Sequence, residues 1–197
     1  MQRLGVIGGT FDPVHTGHLL LALSVLEALG LDRVIFVPAA DPPHKERRPD
    51  MASAEDRFTM VRLATERIPC FQASRLEVER PGKSYTVDTL RQLRRLHPDS
   101  QLYLIIGADN VAQLPTWHDP EAILGLCTVV AGSRQVSGPE PPPPELAQRV
   151  QTVQTRCVEV SSTEIRQRLA AGRPISYLVP DRVEEFIRSR RLYGAVS

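Results

Sequence analysis

The chain has 197 residues, 42% hydrophobic and 24% charged, the composition of an ordinary globular protein with enough core to fold as one domain over residues 1–197. Its formal net charge of +1 gives no ground for a nucleic-acid or membrane partner, and no apolar run approaches the ~20 residues of a membrane span. Cys70, Cys127 and Cys157 are odd in number and lack C-x-x-C spacing, which predicts reduced thiols; with no signal peptide before the first strand, a cytoplasmic location is expected.

Residues 4–7 are an apolar run that predicts the first strand, followed by GGTFDPVHTGH over residues 8–18 and a leucine-rich helix to residue 29, capped by Gly30. Gly8 and Gly9 lack a Cβ, so the backbone is expected to turn sharply there and to let an anion lie against its N–H groups. A helix opening near Gly17 or His18 aims its unsatisfied N–H groups and positive dipole end at the same point, which favours phosphate. His15 and His18, three residues apart, lie near one face of that helix and can both reach one polyphosphate. The P-loop lysine and the G-x-G-x-x-G fingerprint are both missing. Zinc would need a third or fourth ligand, for which Asp12 is the nearby candidate.

Residues 34–37 (VIFV) predict a second strand ending at Pro38, and strand, helix and strand make a right-handed parallel unit whose loops gather at one sheet edge. The loop 39–50 (AADPPHKERRPD) leaves that edge. His44, Lys45, Arg47 and Arg48 make either a solvated basic loop or, through Lys45, a contact to a substrate phosphate. Ser53, with Asp56 three residues on, is the expected cap of the next helix. A third strand is expected around 71–76. Ser84 or Thr86 can then cap a helix with Val87, Leu90, Leu93 and Leu96 on one face, stopped by Pro98.

Residues 102–106 (LYLII) are a further buried strand that delivers Gly107, Ala108 and Asp109 to the same edge. Asp109 either accepts hydrogen bonds from a ribose, or orders the loop, or caps a helix over NVAQL. Trp117, the one tryptophan, is expected in a loop, as a core or interface residue or as a stacking plate for a flat heterocycle. A helical turn at 121–126 and a strand at 128–131 follow, and Arg134, leaving that strand, can hold a phosphate bidentately. The proline-rich residues 136–144 (VSGPEPPPP) form a surface connection within one domain.

A strand at 157–160 is expected to lead into SSTEIRQRLAAG, where Ser161, Ser162 and Thr163 are N-cap types, Glu164 completes a capping box and Gly172 closes the helix. Arg166 and the Ser162 and Thr163 hydroxyls can converge on phosphates held by the first loop; otherwise this is a capped helix with a surface arginine. The closing VPDRVEEFIRSRRLY predicts a helix from near Pro180 that packs Val183, Phe186 and Ile187 inward and carries no chemistry. The helical segment from about residue 161 to 197 is expected to pack on the rest.

Taken together, GGTFDPVHTGHL, PAADPPHK, SYTVDTL, IIGAD with LPTW behind it, SSTEIRQRL and ISYLVPDRVEEFI with LYG resemble the bacterial nicotinate mononucleotide adenylyltransferase family of the HxGH nucleotidyltransferase superfamily. The resemblance runs nearly the full length. It departs after Arg134, where the family continues with Pro-Gly and an aromatic and this chain has Gln135, Val136 and Ser137. It implies an α/β, doubly wound, Rossmann-like parallel sheet with helices on both faces.

The implied reaction is adenylyl transfer from ATP to nicotinate mononucleotide in NAD biosynthesis, giving deamido-NAD and pyrophosphate, by in-line attack without a covalent intermediate. The resemblance makes His15, His18 and Arg166 catalytic and puts Gly8, Gly9, Thr10, Phe11, Gly107, Asp109, Arg134, Ser162 and Thr163 with them around ATP. Lys45, the backbone N–H of Thr86 and the ring of Trp117 would meet nicotinate mononucleotide. Mg2+ would arrive on ATP without a dedicated protein cage. Monomer and homodimer both stay open. So do two other readings: a different adenylyltransferase, or a non-catalytic nucleotide-binding regulator, which would not need both histidines.

Overall fold

The computed structural model describes residues 1–43, 48–133, 146–156 and 158–195. Among them, β1 (Gln2–Gly9), β2 (Arg33–Pro38), β3 (Phe71–Ala73), β4 (Ser100–Gly107), β5 (Thr128–Ser133) and β6 (Val150–Gln154) form one all-parallel sheet in the order β3-β2-β1-β4-β5-β6. Helices α1 (Thr16–Leu29), α2 (Ala54–Thr65), α3 (Thr86–Leu96), α4 (Pro120–Leu126), α5 (Ser162–Ala170) and α6 (Asp181–Ser189) connect and cover it. This is the doubly wound α/β architecture that the sequence predicts.

Strand periodicity explains the two layers. In β2, Val34 and Phe36 face one core with Ile7, Ile105, α1, α2, α5 and α6, while Ile35 and Val37 face the other with Leu4, Val6, Leu104, α3 and α4. The chain order reverses between β1 and β4, the switch point at which such sheets leave a crevice at their carboxyl ends.

Local signals set most element ends. The Ser53 hydroxyl accepts from the Asp56 N–H (3.0 Å) and that of Ser161 from the Glu164 N–H (3.1 Å), both as expected of N-caps. Gly30 (φ 58°) and Gly172 (φ 66°) follow α1 and α5 in the left-handed conformation. Four expectations shift. Helix α1 opens at Thr16, with His15 as its cap, rather than near Gly17 or His18. Leu96 is 58% exposed, at the last position of α3. Ser84 does not cap α3; its hydroxyl turns away to accept the N–H groups of Ala40 and Asp41. The last strand is Val150–Gln154, not 157–160: Val158 and Val160 pack their side chains into the core without pairing, and Cys157 lies outside the described residues. Residues 136–144 lie outside them too.

Candidate active site

At the carboxyl edge of β1 and β4 lies a cleft of about 870 Å³, lined by the first loop, the start of α1, the loop after β2, the start of α3, the segment after β4 and the start of α5. Gly8 and Gly9 belong to β1 and do not turn the chain; the turn is made by Phe11, whose φ of 49° is left-handed. The glycines serve in another way. A Cβ on Gly8 would meet nothing within 4 Å, so the strand edge is open to a ligand, whereas one on Gly9 would press to 3.1 Å from the Phe11 ring. That ring is buried, edge-on to His18 at 4.9 Å.

His15 and His18 both line the cleft, with their rings stacked 3.7 Å apart. The His15 backbone N–H donates to His18 Nδ1 (3.2 Å), so a neutral His18 carries its proton on Nε2 and keeps a donor on the far side of the ring. The start of α1 is held from the far end of the chain. The Thr16 N–H donates to the Leu178 carbonyl and its hydroxyl to that of Tyr177, each at 2.9 Å.

The second helix start is tied directly to the first loop. Ser162 Oγ donates to the Pro13 carbonyl (2.9 Å), and Arg166 Nη1 donates to that of Asp12 (2.7 Å) while Nη2 donates to Thr163 Oγ1 (3.1 Å). Arg166 is thus a buried arginine of the cleft and not a surface one. Burial, then the nearby charge of Arg48, holds its pKa below the usual arginine range, yet a guanidinium remains charged throughout the working pH range. Arg48 itself lines the cleft and donates to Asp12 Oδ2 at 2.5 Å. Sequence reasoning grouped it with a solvated loop and missed this role.

On the other side of the cleft stand Thr86, Tyr85, Trp117, His118 and Asp109. Thr86 opens α3, so its N–H lies in the first turn, where no carbonyl one turn back exists to accept it. Trp117 follows a 3-10 helix (Ala108–Thr116) as its C-cap, in the short loop before α4 as expected; it packs partly on the core and partly lines the cleft. The Tyr85 and His118 rings lie 4.3 Å apart beside it. Asp109 is in the first turn of that 3-10 helix, whose cap is Gly107, so its capping role is excluded. Its carboxylate accepts from Asn110 Nδ2 (3.2 Å) and stays exposed at the cleft. Lys45 and Arg134 lie outside the described residues.

A buried arginine that sequence reasoning did not single out braces these loops. Arg57, 1% exposed, donates to the carbonyls of Thr10 (2.7 Å), Ala39 (2.5 Å), Ala40 (3.1 Å) and Ala52 (3.1 Å). The available signal was its register on α2: with Met60, Val61 and Ala64 it falls on the apolar stripe, where a charged residue needs several partners.

A cleft at the switch point of a doubly wound sheet, with two helix starts, stacked histidines and two guanidinium groups around it, defines a nucleotide-phosphate-binding protein of the nucleotidyltransferase class. The cytidylyltransferase-like family model matches residues 6–168. The chain is 47% identical over 192 residues to a "Probable nicotinate-nucleotide adenylyltransferase" of Thermus thermophilus, covering 98% of this chain and all of that one. It is 43% identical over 199 residues to the protein so described in Moorella thermoacetica, covering 97% and 91%. A structure of Plasmodium falciparum nicotinic acid mononucleotide adenylyltransferase complexed with NaAD superposes with a TM-score of 0.79 over 100% of this chain and 99% of that one, at 16% identity, and so shares its fold. The chain therefore belongs to the cytidylyltransferase-like family and, within it, to the nicotinate-nucleotide adenylyltransferases.

Proposed function

We propose that the protein transfers the adenylyl group of ATP to nicotinate mononucleotide, forming nicotinate adenine dinucleotide and pyrophosphate. The observation that carries this reading is the joining of the His15–His18 loop to the start of α5 through Ser162 and Arg166, which puts two sets of phosphate-binding donors around one cleft. In the proposed reaction a phosphate oxygen of the mononucleotide attacks the α-phosphorus in line. The bond from that phosphorus to the bridging oxygen breaks, and its electron pair leaves on pyrophosphate. No covalent intermediate is needed, since the acceptor supplies the nucleophile.

His15 and His18 would stabilise charge on the α and β phosphates, with Thr10 and the Gly8 and Gly9 amides positioning them. The backbone N–H of Ser162, whose hydroxyl is engaged by Pro13, would hold the β and γ phosphates with Thr163 and Arg166, and Arg48 adds a second guanidinium beside Arg166. Thr86 and Trp117 would hold the carboxylate and ring of the acceptor. Gly107 and Asp109 would face the ATP ribose, and Lys45 and Arg134 are proposed as further phosphate ligands.

The donor set suits magnesium brought in on the polyphosphate. Asp109 offers one exposed carboxylate, whereas that of Asp12 is already engaged by Arg48, Tyr193 and the Ala52 N–H. When bound, the ion would neutralise phosphate charge, held chiefly by the phosphates it arrives on. Pyrophosphate release from ATP, measured with nicotinate mononucleotide and a panel of other phosphate-bearing acceptors, tests the proposal. Release is expected with nicotinate mononucleotide; turnover with a different acceptor alone, or ATP binding with no turnover, refutes it.

A further inference from the structure

The short helical turn Leu192–Gly194 follows α6 with Arg191 (φ 51°) and Tyr193 (φ 56°) in the left-handed region that side chains other than glycine rarely adopt. This conformation turns the Tyr193 side chain into the protein, where it is 8% exposed, and its hydroxyl donates to Asp12 Oδ1 at 2.7 Å across 181 residues of sequence. Burial and the adjoining Asp12 charge push the phenol well above its usual range, so it stays protonated and donates.

Asp12, 3% exposed, is the meeting point of the phosphate-facing arginines. Its Oδ1 also accepts the Ala52 N–H (3.1 Å), and its Oδ2 takes Arg48 Nη2 at 2.5 Å and lies 4.0 Å from Arg166 Nη1. Asp50 lies alongside, 3.6 Å from Arg48 Nε and 3.9 Å from Arg166 Nε. Two guanidinium groups this close repel each other, so their separation and direction depend on how firmly the carboxylate between them is fixed. Tyr193 is not among the residues lining the cleft; the hydrogen bond to Asp12 is what joins its hydroxyl to Arg48.

We propose that Tyr193 is a positioning residue for the phosphate site: by fixing the Asp12 carboxylate, the carboxyl-terminal tail aims Arg48, and with it Arg166, at the polyphosphate. The inference rests on the phosphate reading of the cleft. Removing the Tyr193 hydroxyl leaves Asp12 with one fewer donor and lets its carboxylate rotate, which loosens Arg48 while the tyrosine ring continues to fill its pocket.

Titration of the full-length protein with inorganic pyrophosphate tests this without depending on turnover. Tyr193→Phe is expected to bind pyrophosphate about tenfold more weakly than wild type, but less than about twofold more weakly when both chains also carry Arg48→Ala, because the hydroxyl works through Arg48. Equal affinity of Tyr193→Phe and wild type overturns the proposal. So does an equal loss in both backgrounds, which would make the tail a general support of the fold. A wild-type chain that binds no pyrophosphate refutes the phosphate reading itself, a different result from either of these. If Tyr193→Phe does not fold, Asp12→Asn, which leaves the ring in place, must weaken pyrophosphate binding about tenfold or more; unchanged affinity there overturns the proposal equally.

Discussion

His18 shows how a single side chain is prepared for charge. Its Nδ1 is occupied by the His15 N–H and its ring lies between His15 and Phe11, so Nε2 has little freedom of direction. Fixed donors of this kind lose little reorganisation energy as phosphate charge develops, and His18→Ala is expected to lower kcat by ~100-fold or more with the fold retained. Steady-state kinetics together with a thermal melt check this; near-normal turnover removes His18 from the phosphates. Glu77, buried at the cleft against Thr89 of α3, shows the cost of a carboxyl group held away from water. Burial raises its pKa, against the hydrogen bonds from Thr89 and Ser84 and the charges of Arg80 and Arg57, which lower it. A carboxyl group whose pKa is raised on folding favours the folded state at acid pH, and that contribution is lost as pH rises through the folded value. In Glu77→Gln the amide oxygen still accepts from Thr89 but does not ionise. Its Tm relative to wild type is therefore expected to rise between pH 4.5, the ordinary glutamate value, and neutrality, and a difference independent of pH would contradict the assignment.

At the scale of the element, the proposed recognition falls to helix starts. The start of α3 offers N–H donors and a positive dipole end beside Trp117, which suits a carboxylate on a flat ring. The amide of nicotinamide would point a donor at a donor. One lost charge-assisted bond and one such clash together cost ~3 to 5 kcal/mol, so nicotinate mononucleotide is expected to be preferred over nicotinamide mononucleotide by ~100 to 1,000 in kcat/KM. The ratio measured at saturating MgATP decides it, and equal values would mean that α3 does not read the carboxylate. The elements legible in sequence are those whose signals are local. The capping serines 53 and 161, the leucines of α1, and the paired histidines each announce themselves within one turn. Strand β6 does not: V-Q-T-V-Q alternates too weakly to stand out, being an edge strand with one neighbour, and the valines at 158 and 160 attract the assignment instead. Nor does local pattern reveal that Ser84 bonds to Ala40, that Arg48 meets Asp12, or that Tyr193 returns to it, since those partners are 44, 36 and 181 residues away.

For the whole molecule, the decisive question is what holds loops from distant parts of the chain in one arrangement. Arg57 joins the first loop at Thr10, the loop after β2 at Ala39 and Ala40, and the approach to α2 at Ala52. All four acceptors are backbone carbonyls, for which a planar, many-donor guanidinium is suited and an ammonium on a flexible stem is not. A buried cation is itself costly to desolvate, so the full strength of these bonds does not appear as net stability. Removing the side chain is a different matter, because each carbonyl left without a donor forfeits ~1 to 3 kcal/mol, relaxation and entering water reducing the sum. Arg57→Met, which keeps much of the volume, is expected to destabilise the protein by ~3 to 5 kcal/mol, and at about 2–4 °C per kcal/mol for a chain of this size the Tm should fall by ~6 to 20 °C. Arg57→Lys retains the charge but cannot span the four carbonyls, so it should recover only part of the loss. At a temperature where Arg57→Lys is fully folded, the KM values for both ATP and the acceptor are expected to rise together, since Thr10 belongs to the loop proposed to hold the phosphates and Ala39–Ala40 to the loop bonded to Ser84 ahead of α3. A lysine variant with wild-type Tm and unchanged KM values would show that the two loops hold their arrangement without this brace.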